Sequence, residues 1–202
     1  MPVLETFSLK GKVALVTGGA GLYGRQIVEA LAEAGAKTFI ASRGVEALEI
    51  VAQAQRERGY DVTAMHLDLA SDDSIEKLHA DIIGEAGTCD ILVNNAVTRS
   101  AHDGWAHDLE AYDKSLHVNA SALFKITHLF AQNMKAQKSG SIINIGSMMG
   151  IVGIELDNYV GTDMMPDPSP IYFFEKGGMI NFTRSAASVL GSENVRVNCL
   201  SP

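Results

Sequence analysis

The chain has few cysteines and few basic residues, and each shortage argues against certain classes of protein. Cys89 and Cys199 are the only cysteines, and they lie far apart in the sequence. They are too few for a disulfide scaffold or a cysteine-based metal site and indicate a reducing compartment. Sixteen lysines and arginines stand against 24 aspartates and glutamates, which gives a net charge of -8 and a pI near 5.2. General affinity for nucleic acid or anionic lipid needs clustered basic residues, so this balance argues against both partners.

Targeting and membrane-spanning patterns are also missing from the sequence. Residues 1–12 lack the basic and then apolar pattern of a signal peptide, and no apolar run approaches the ~18 residues of a membrane span. We therefore expect a cytoplasmic location. No linker, repeat or low-complexity tract interrupts the 202 residues, of which 47% are hydrophobic. This composition predicts a globular chain with one domain over residues 1–202.

Short apolar runs alternate with amphipathic stretches along the chain. The apolar runs predict strands at residues 13–16, 37–41, 62–67, 91–93, 141–145 and 195–200. The amphipathic stretches predict helices at residues 22–34, 45–58, 71–86, 112–137 and 172–190. This alternation predicts an α/β fold with a Rossmann-type, doubly wound parallel sheet that carries helices on both faces. Ligands of such sheets bind at the carboxyl ends of the strands.

A glycine-rich turn joins the first predicted strand to the first predicted helix. Gly19, Gly21 and Gly24 satisfy the spacing Gly-x-Gly-x-x-Gly. Backbone amides and the helix dipole can receive a pyrophosphate in this context, so the turn predicts a dinucleotide site. The alternative interpretation is a tight turn that binds no ligand.

The end of the second predicted strand bears on the choice of dinucleotide. Ser42 and Arg43 stand where an acidic residue would bind the adenosine ribose hydroxyls of NAD. No carboxylate there repels a 2′-phosphate, and a guanidinium can grip one, so NADP is favoured over NAD. The alternative is that Arg43 merely precedes a helix and points to water. Asp68, after the third strand, could accept from the adenine amino group or could simply start a helix.

Two irregular segments interrupt the alternation. Residues 94–109 contain a candidate ligand set for a metal, made of His102, Asp103, His107 and Asp108. Such side chains in a polar loop are usually only solvated, so we expect no metal site. Residues 148–170, rich in glycine, proline and methionine, exceed the ~12–15 residues that structureless loops usually reach. The position of this segment after the fifth strand favours a lid over a disordered stretch.

Tyr172 and Lys176 lie four residues apart on the last predicted helix and therefore share one of its faces. Free tyrosine, whose ordinary pKa is about 10, is a poor base at neutral pH. A lysine ammonium beside it would favour the phenolate, so the pair could take a proton from an alcohol or return one to an alkoxide. Asn94-Asn95-Ala96, Asn119 and Ser147 lie between the glycine turn and this pair. The ordered set indicates a nucleotide-dependent oxidoreductase.

From about Leu9 to Pro202, the chain resembles the short-chain dehydrogenase/reductase family. The resemblance rests on Thr17-Gly18 to Gly24, Asp68, Asn94-Asn95-Ala96, Asn119, Ser147, Tyr172, Lys176 and residues 195–202. It implies a catalytic tetrad of Asn119, Ser147, Tyr172 and Lys176. Ser147 would hydrogen-bond the reacting oxygen, and Asn119 would hold a water that links Lys176 to solvent. The expected cofactor-binding residues are Gly18, Gly19, Gly21, Leu22, Tyr23, Gly24, Ser42, Arg43, Asp68, Leu69, Asn95, Ala96, Tyr172 and Lys176.

Four features depart from the family pattern. Leu22 replaces the middle glycine of the usual turn, which brings its spacing closer to the extended branch of the family, and Val97 replaces the glycine that normally follows Asn-Asn-Ala. The interval from Ser147 to Tyr172 is longer than usual, which we ascribe to insertion of the lid. The sequence ends at Pro202, where relatives continue with a further helix and strand. We therefore expect the chain to bind a nucleotide better than it turns over substrate.

The expected reaction is hydride transfer between NAD(P) and a small alcohol or ketone, with Tyr172 as the acid/base. Hydrogen-bonding groups in the lid weakly favour carbohydrate-derived substrates; these are Asp157, Asn158, Asp163 and Asp167. One alternative is a non-catalytic nucleotide-binding or scaffold protein, which the end at Pro202 makes plausible. Another is an epimerase or dehydratase of the extended branch, which the spacing of the glycine turn suggests.

The resemblance also implies self-association into a homodimer or homotetramer. The expected surface consists of the helices at residues 112–137 and 172–190. Apolar residues on the first of them permit this surface; they are Leu116, Leu123, Ile126, Leu129 and Phe130. The alternative is that these side chains face only the sheet of their own chain.

Overall fold

A computed structural model describes residues 2–99, 109–163 and 169–202. Its strands are β1 (Val13–Thr17), β2 (Lys37–Ser42), β3 (Val62–His66), β4 (Ile91–Asn94), β5 (Gly140–Ile145) and β6 (Val195–Leu200). Its α-helices are α1 (Leu22–Glu33), α2 (Val45–Glu57), α3 (Asp72–Ala86), α4 (Leu109–Leu116), α5 (Ala122–Ala136) and α6 (Pro170–Leu190). These elements follow the predicted alternation of strands and helices.

The six strands form one parallel sheet in the order β3-β2-β1-β4-β5-β6. The chain builds outward from β1 in one direction and then returns to pair β4 on its other side. This order is the doubly wound arrangement, and it opens a crevice beyond the carboxyl ends of β1 and β4. The predicted fold class is therefore confirmed.

Both faces of the sheet are covered, which explains why its strands read as continuous apolar runs. In β1, Val13 and Leu15 belong to one core, while Ala14 and Val16 belong to the other. The first core also contains buried residues of α3 and α5, and the second contains buried residues of α1 and α2. Residues alternate between the two layers because successive strand side chains point to opposite faces.

Local signals in the sequence account for several helix ends. Ser71 caps α3, since its side chain accepts a hydrogen bond from the Ser74 amide at 3.2 Å. Gly87 ends the same helix with φ +73°, a left-handed conformation that glycine adopts without strain. Pro170 lies in the first turn of α6, where its missing amide hydrogen costs nothing.

The predicted helix over residues 112–137 differs from the observed one. The helix begins at Leu109, and a π-helical turn over His117–Ser121 separates α4 from α5. Such single π turns occur frequently at functional sites, and this one contains Asn119. The described part of the predicted lid also contains two 3-10 turns, Met148–Gly150 and Leu156–Tyr159.

Four of the five apolar residues expected at the self-association surface are buried or packed against the core of this chain. Leu123, Ile126 and Phe130 are buried, and Ile126 and Phe130 belong to the core beneath α5, with Leu129 packed against it. Every third or fourth residue of an amphipathic helix faces the sheet, so these spacings describe the inner face. Phe124 lies on the outer face and is 59% exposed.

No helix within the described ranges is long and apolar enough to cross a membrane.

Candidate active site

A cleft of about 700 Å³ lies at the carboxyl ends of the strands. It brings together most of the residues expected to bind a cofactor: Gly18, Gly21, Leu22, Tyr23, Ser42, Arg43, Asp68, Leu69, Asn95, Ala96, Tyr172 and Lys176. The cleft therefore joins the glycine turn to the Tyr-x-x-x-Lys pair, although more than a hundred residues separate the two motifs in the sequence.

The glycine turn depends on close backbone contacts beneath the cleft. Gly18 adopts φ +69°, and a Cβ on Gly24 would lie 2.1 Å from the Gly18 carbonyl oxygen. A Cβ on Gly19 would lie 2.8 Å from Cβ of Ile40. Gly19 and Gly24 thus let α1 pack closely on the sheet, and the turn presents the amides of the first turn of α1 to the cleft. Those amides have no acceptor within the helix, so an anion can satisfy them.

Asn95 secures the turn to the neighbouring strand. Its Nδ2 donates to the carbonyl oxygens of Thr17 at 3.0 Å and Gly18 at 3.1 Å. Thr17 Oγ1 accepts from the amides of Asn95 and Ala96, both at 3.0 Å. These four contacts join the ends of β1 and β4, so Asn95 both lines the cleft and holds the glycine turn in place.

Ser42, Arg43 and Asp68 lie at the end of the cleft near β2 and β3. Arg43 is exposed and Ser42 is half-buried, which fits both a guanidinium that reaches a phosphate and one that points to water. The Oδ1 atom of Asp68 accepts from the Ala70 amide at 2.9 Å. That contact fits the turn-forming interpretation of Asp68, and its contact with adenine stays a prediction.

Tyr172 and Lys176 occupy successive turns of α6. Lys176 Nζ donates to the Ile145 carbonyl oxygen at 2.6 Å and lies 5.8 Å from the centre of the Tyr172 ring. The guanidinium carbon of Arg99, which follows β4, also lies 5.8 Å from that ring centre. The tyrosine is therefore within reach of two cations, and sequence reasoning identified only Lys176.

Lys176 is 5% exposed, and its burial lowers the pKa of the ammonium from the ordinary value. The Cys199 thiol and the Glu175 carboxylate oppose this effect, while the positive charge of Arg99 lowers the pKa further. Desolvation disfavours a charged form, and neighbouring anions restore it. The charge on Lys176 therefore depends on the groups around it.

Ser147 and Asn119 do not line the cleft among the described residues. Ser147 is buried two residues after the end of β5, and its Oγ accepts from the Met149 amide at 3.2 Å. The Asn119 side chain exchanges two hydrogen bonds with the Thr98 backbone, each at 2.9 Å. Their contacts with a substrate oxygen and a water, respectively, stay predictions.

Besides Arg99, sequence reasoning missed Glu175. Its carboxylate is buried and accepts from Ser115 Oγ at 2.7 Å and from Asn119 Nδ2 at 2.8 Å. Burial raises the pKa of this carboxyl, while hydrogen bonds from Ser115 and Asn119 and the charge of Lys176 oppose the rise. The sequence held a signal, since an acidic residue stands directly between Phe174 and Lys176 on an otherwise apolar stretch of helix.

Some expectations fall on residues that lie outside the described ranges. They are the candidate metal ligands His102, Asp103, His107 and Asp108 and the lid residue Asp167. Lid residues Asp157, Asn158 and Asp163 are described, and all three are exposed.

Comparison with known proteins decides the family. The family model for short chain dehydrogenase matches residues 12–202. The chain belongs to the short chain dehydrogenase family. The resemblance inferred from the motifs is thereby confirmed, as is the expectation that the protein is an oxidoreductase of this family.

Individual members of the family are similar over nearly all of the chain. The short chain dehydrogenase/reductase dpchG of Colletotrichum higginsianum is 33% identical over 195 residues, which are 95% of this chain and 68% of that protein. The crystal structure of an NAD+-bound xylitol dehydrogenase matches with a TM-score of 0.85 at 29% identity and covers 96% of this chain and 70% of its own. A metagenomic short-chain oxidoreductase in complex with NADP matches with a TM-score of 0.83 at 30% identity and covers 96% of this chain and 83% of its own.

Proposed function

We propose that this short-chain dehydrogenase transfers a hydride between a nicotinamide dinucleotide and a small alcohol or ketone. The observation that carries the proposal is one cleft that contains both the glycine turn and the Tyr172–Lys176 pair. Either motif alone is weak, but their convergence at the carboxyl ends of a doubly wound sheet supports cofactor and proton chemistry at one place. Membership in a dehydrogenase family supports this reaction over epimerisation or dehydration.

The residues of the cleft fit a dinucleotide. The first-turn amides of α1, with the glycine packing beneath them, would hold the pyrophosphate. Arg43 beside Ser42 favours NADP, because a guanidinium can pair with the 2′-phosphate. The similar proteins bind NAD+ in one case and NADP in another, so both remain within the family's range. The bound cofactor would supply the nicotinamide ring that accepts or donates the hydride.

Tyr172 would act as the acid/base. Its hydroxyl would take the proton of the alcohol during oxidation and return a proton to the alkoxide during reduction. The ammonium of Lys176 would stabilise the phenolate, and its hydrogen bond to Ile145 fixes the direction from which it approaches the ring. Ser147 would hydrogen-bond the reacting oxygen and set its distance from Tyr172.

A carbohydrate-derived substrate is the favoured class within small alcohols and ketones. Asp157, Asn158 and Asp163 are exposed in the segment after β5, where they offer hydrogen-bonding groups to a polyhydroxylated molecule. The similarity to a xylitol dehydrogenase supports the same class. We further propose one cytoplasmic domain that assembles as a homodimer or homotetramer.

Replacement of the reacting hydroxyl tests the proposal directly. Tyr172→Phe should reduce turnover by about 10²–10⁴-fold, the usual contribution of general acid–base catalysis, while cofactor affinity stays nearly unchanged. Rates over polyols, sugar acids and ketones with NAD and NADP, together with cofactor titrations, provide the two measurements. Phe173→Tyr, which adds a hydroxyl one residue away on α6, serves as the matched control. Wild-type rates in the Tyr172→Phe protein would eliminate Tyr172 as the acid/base.

A further inference from the structure

Asn119 has a fixed orientation that places its amide nitrogen against Glu175. Its Oδ1 accepts from the Thr98 backbone amide, which can only donate. The Nδ2 atom must therefore face the other side, where it donates to Thr98 O at 2.9 Å and Glu175 Oε2 at 2.8 Å. The second carboxylate oxygen accepts from Ser115 Oγ at 2.7 Å. Because both oxygens of Glu175 accept, the arrangement suits the ionised carboxylate.

These contacts join four parts of the chain at one point. Ser115 belongs to α4, Asn119 to the π turn, Glu175 to α6 and Thr98 to the loop after β4. That loop lines the cleft, and the residue after Glu175 is Lys176. The cluster therefore sets the position of the proposed catalytic helix relative to the wall of the cofactor cleft.

We propose that Glu175 is a positioning residue that clamps Asn119 and α6 to the loop after β4 and helps to keep Lys176 charged. This inference rests on the proposed function of Tyr172 and Lys176. Among the described residues, no cation lies within 4 Å of the Glu175 carboxylate. Glu175 therefore acts on the charge of Lys176 through space and on its position through the helix backbone. The clamp also explains why a carboxylate is kept in an apolar stretch at a desolvation cost.

The direction of the electrostatic effect follows from the groups around Lys176. Burial lowers the pKa of Lys176, Cys199 from β6 and Glu175 oppose this, and Arg99 from the loop after β4 adds to it. Tyr172 faces the ammonium from the same helix. Without the charge of Glu175, the pKa of Lys176 falls further, so the ammonium is lost at a lower pH. Without the charge of Arg99, the pKa rises and the ammonium persists to a higher pH.

The pH profile of kcat/KM separates this role from simple stability. Glu175→Gln should shift the alkaline limb, where Lys176 loses its proton, to lower pH by about one unit, the scale expected for the loss of one neighbouring charge. Arg99→Gln should shift it in the opposite direction. The control is Thr183→Ala, since Thr183 is buried on the same helix and accepts from Asn144 at 2.9 Å without touching the cluster. A Glu175→Gln profile that coincides with wild type, or an equal shift in Thr183→Ala, would overturn the charge effect.

Amide hydrogen exchange in the cofactor-free protein tests the clamp without any turnover. The Thr98 amide should exchange several-fold faster in Glu175→Leu than in wild type or Thr183→Ala, because leucine offers Asn119 Nδ2 no acceptor, whereas glutamine would keep one. Ser115→Ala removes one hydrogen bond to Glu175 and should therefore speed exchange at Thr98. It keeps the charge of Glu175, so the alkaline limb should stay in place. Unchanged protection of Thr98 in both variants would refute the clamp. If wild type turns over none of the screened substrates, the proposed function fails, and the exchange result still decides whether the clamp exists.

Discussion

The glycine turn and the Glu175 cluster support two parts of the same cleft by different means. The turn depends on backbone geometry, with Gly18 at positive φ and Gly24 in contact with the Gly18 carbonyl. The cluster depends on side chains, with Asn119 and Glu175 hydrogen-bonded to each other and to Thr98 and Ser115. The close contacts of Gly18, Gly19 and Gly24 involve no charged group, whereas the cluster contains a buried carboxylate beside a buried lysine. Steric changes should therefore damage the glycine turn, and changes of charge or pH should damage the Glu175 cluster.

The strongest test of the steric side is Gly24→Ala. A Cβ at this position would lie 2.1 Å from the Gly18 carbonyl oxygen, so the turn must move. We expect cofactor binding to fall below detection and stability to fall by roughly 1–3 kcal/mol, the usual cost of overpacking. Cofactor titration and thermal unfolding measure the two effects.

Gly84→Ala is the matched control for this change. Gly84 lies within α3, and an added Cβ there would meet no atom within 4 Å. Alanine is a better helix former than glycine, so this variant should gain roughly 0.5–1 kcal/mol and bind the cofactor like wild type. Normal cofactor affinity in Gly24→Ala would show that backbone packing does not govern the turn.

A smaller effect should follow from Arg43→Ala, which leaves the turn intact and removes one charge. We expect NADP affinity to fall about ten- to a hundred-fold, since one charge-assisted contact is worth roughly 1.5–3 kcal/mol, while NAD affinity barely changes. Ser42→Asp should favour NAD from the other direction, by repelling the 2′-phosphate and accepting from the ribose hydroxyls. Isothermal titration with both cofactors provides the measurement.

Arg184→Ala is the control for a general loss of positive charge, because Arg184 is exposed on α6 and does not line the cleft. It should leave both affinities unchanged. A wild-type preference for NAD, or equal NADP affinity in Arg43→Ala, would reject the NADP assignment.

The same contrast explains what the sequence could predict. Strands buried on both faces read as apolar runs, so the sheet and its helices were predicted from residue order alone. The glycine turn was also readable, because only glycine fits its backbone geometry. The likeness to a known family supplied roles for Tyr172 and Lys176, and the fold brings both into the expected cleft.

Contacts between side chains that are distant in sequence were not predictable in this way. Ser115 and Asn119 are four residues apart on a predicted helix and share a face, but nothing in the sequence reveals that Glu175 joins them, because that contact depends on how α6 packs beside the π turn. The apolar residues expected at the self-association surface face inward for a related reason. A helical apolar period marks a buried face without telling whether its partner is the sheet or a second chain.

The helices that cover the two faces of the sheet also differ on their outer surfaces. The outer face of α2 carries Glu46, Glu49 and Glu57, with Ile50 exposed among them. On α5, the exposed ring of Phe124 stacks on His128 at 5.8 Å and meets Phe182 of α6 edge-on at 6.4 Å. Aromatic residues are enriched at the centres of protein interfaces and charged residues are depleted there. The proposed self-association surface therefore belongs to the outer face of α5 and α6.

Phe124→Asp should weaken that association by about tenfold or more, because truncation of a central aromatic usually costs more than about 1 kcal/mol. Mass in solution over a micromolar concentration series provides the measurement. Ile50→Asp is the matched control, since Ile50 is also an exposed apolar residue on a helix, 72% exposed, but lies among carboxylates on α2. We expect the control to associate like wild type. If wild type is monomeric throughout the series, or if Ile50→Asp dissociates as readily as Phe124→Asp, the aromatic face of α5 and α6 is not the interface.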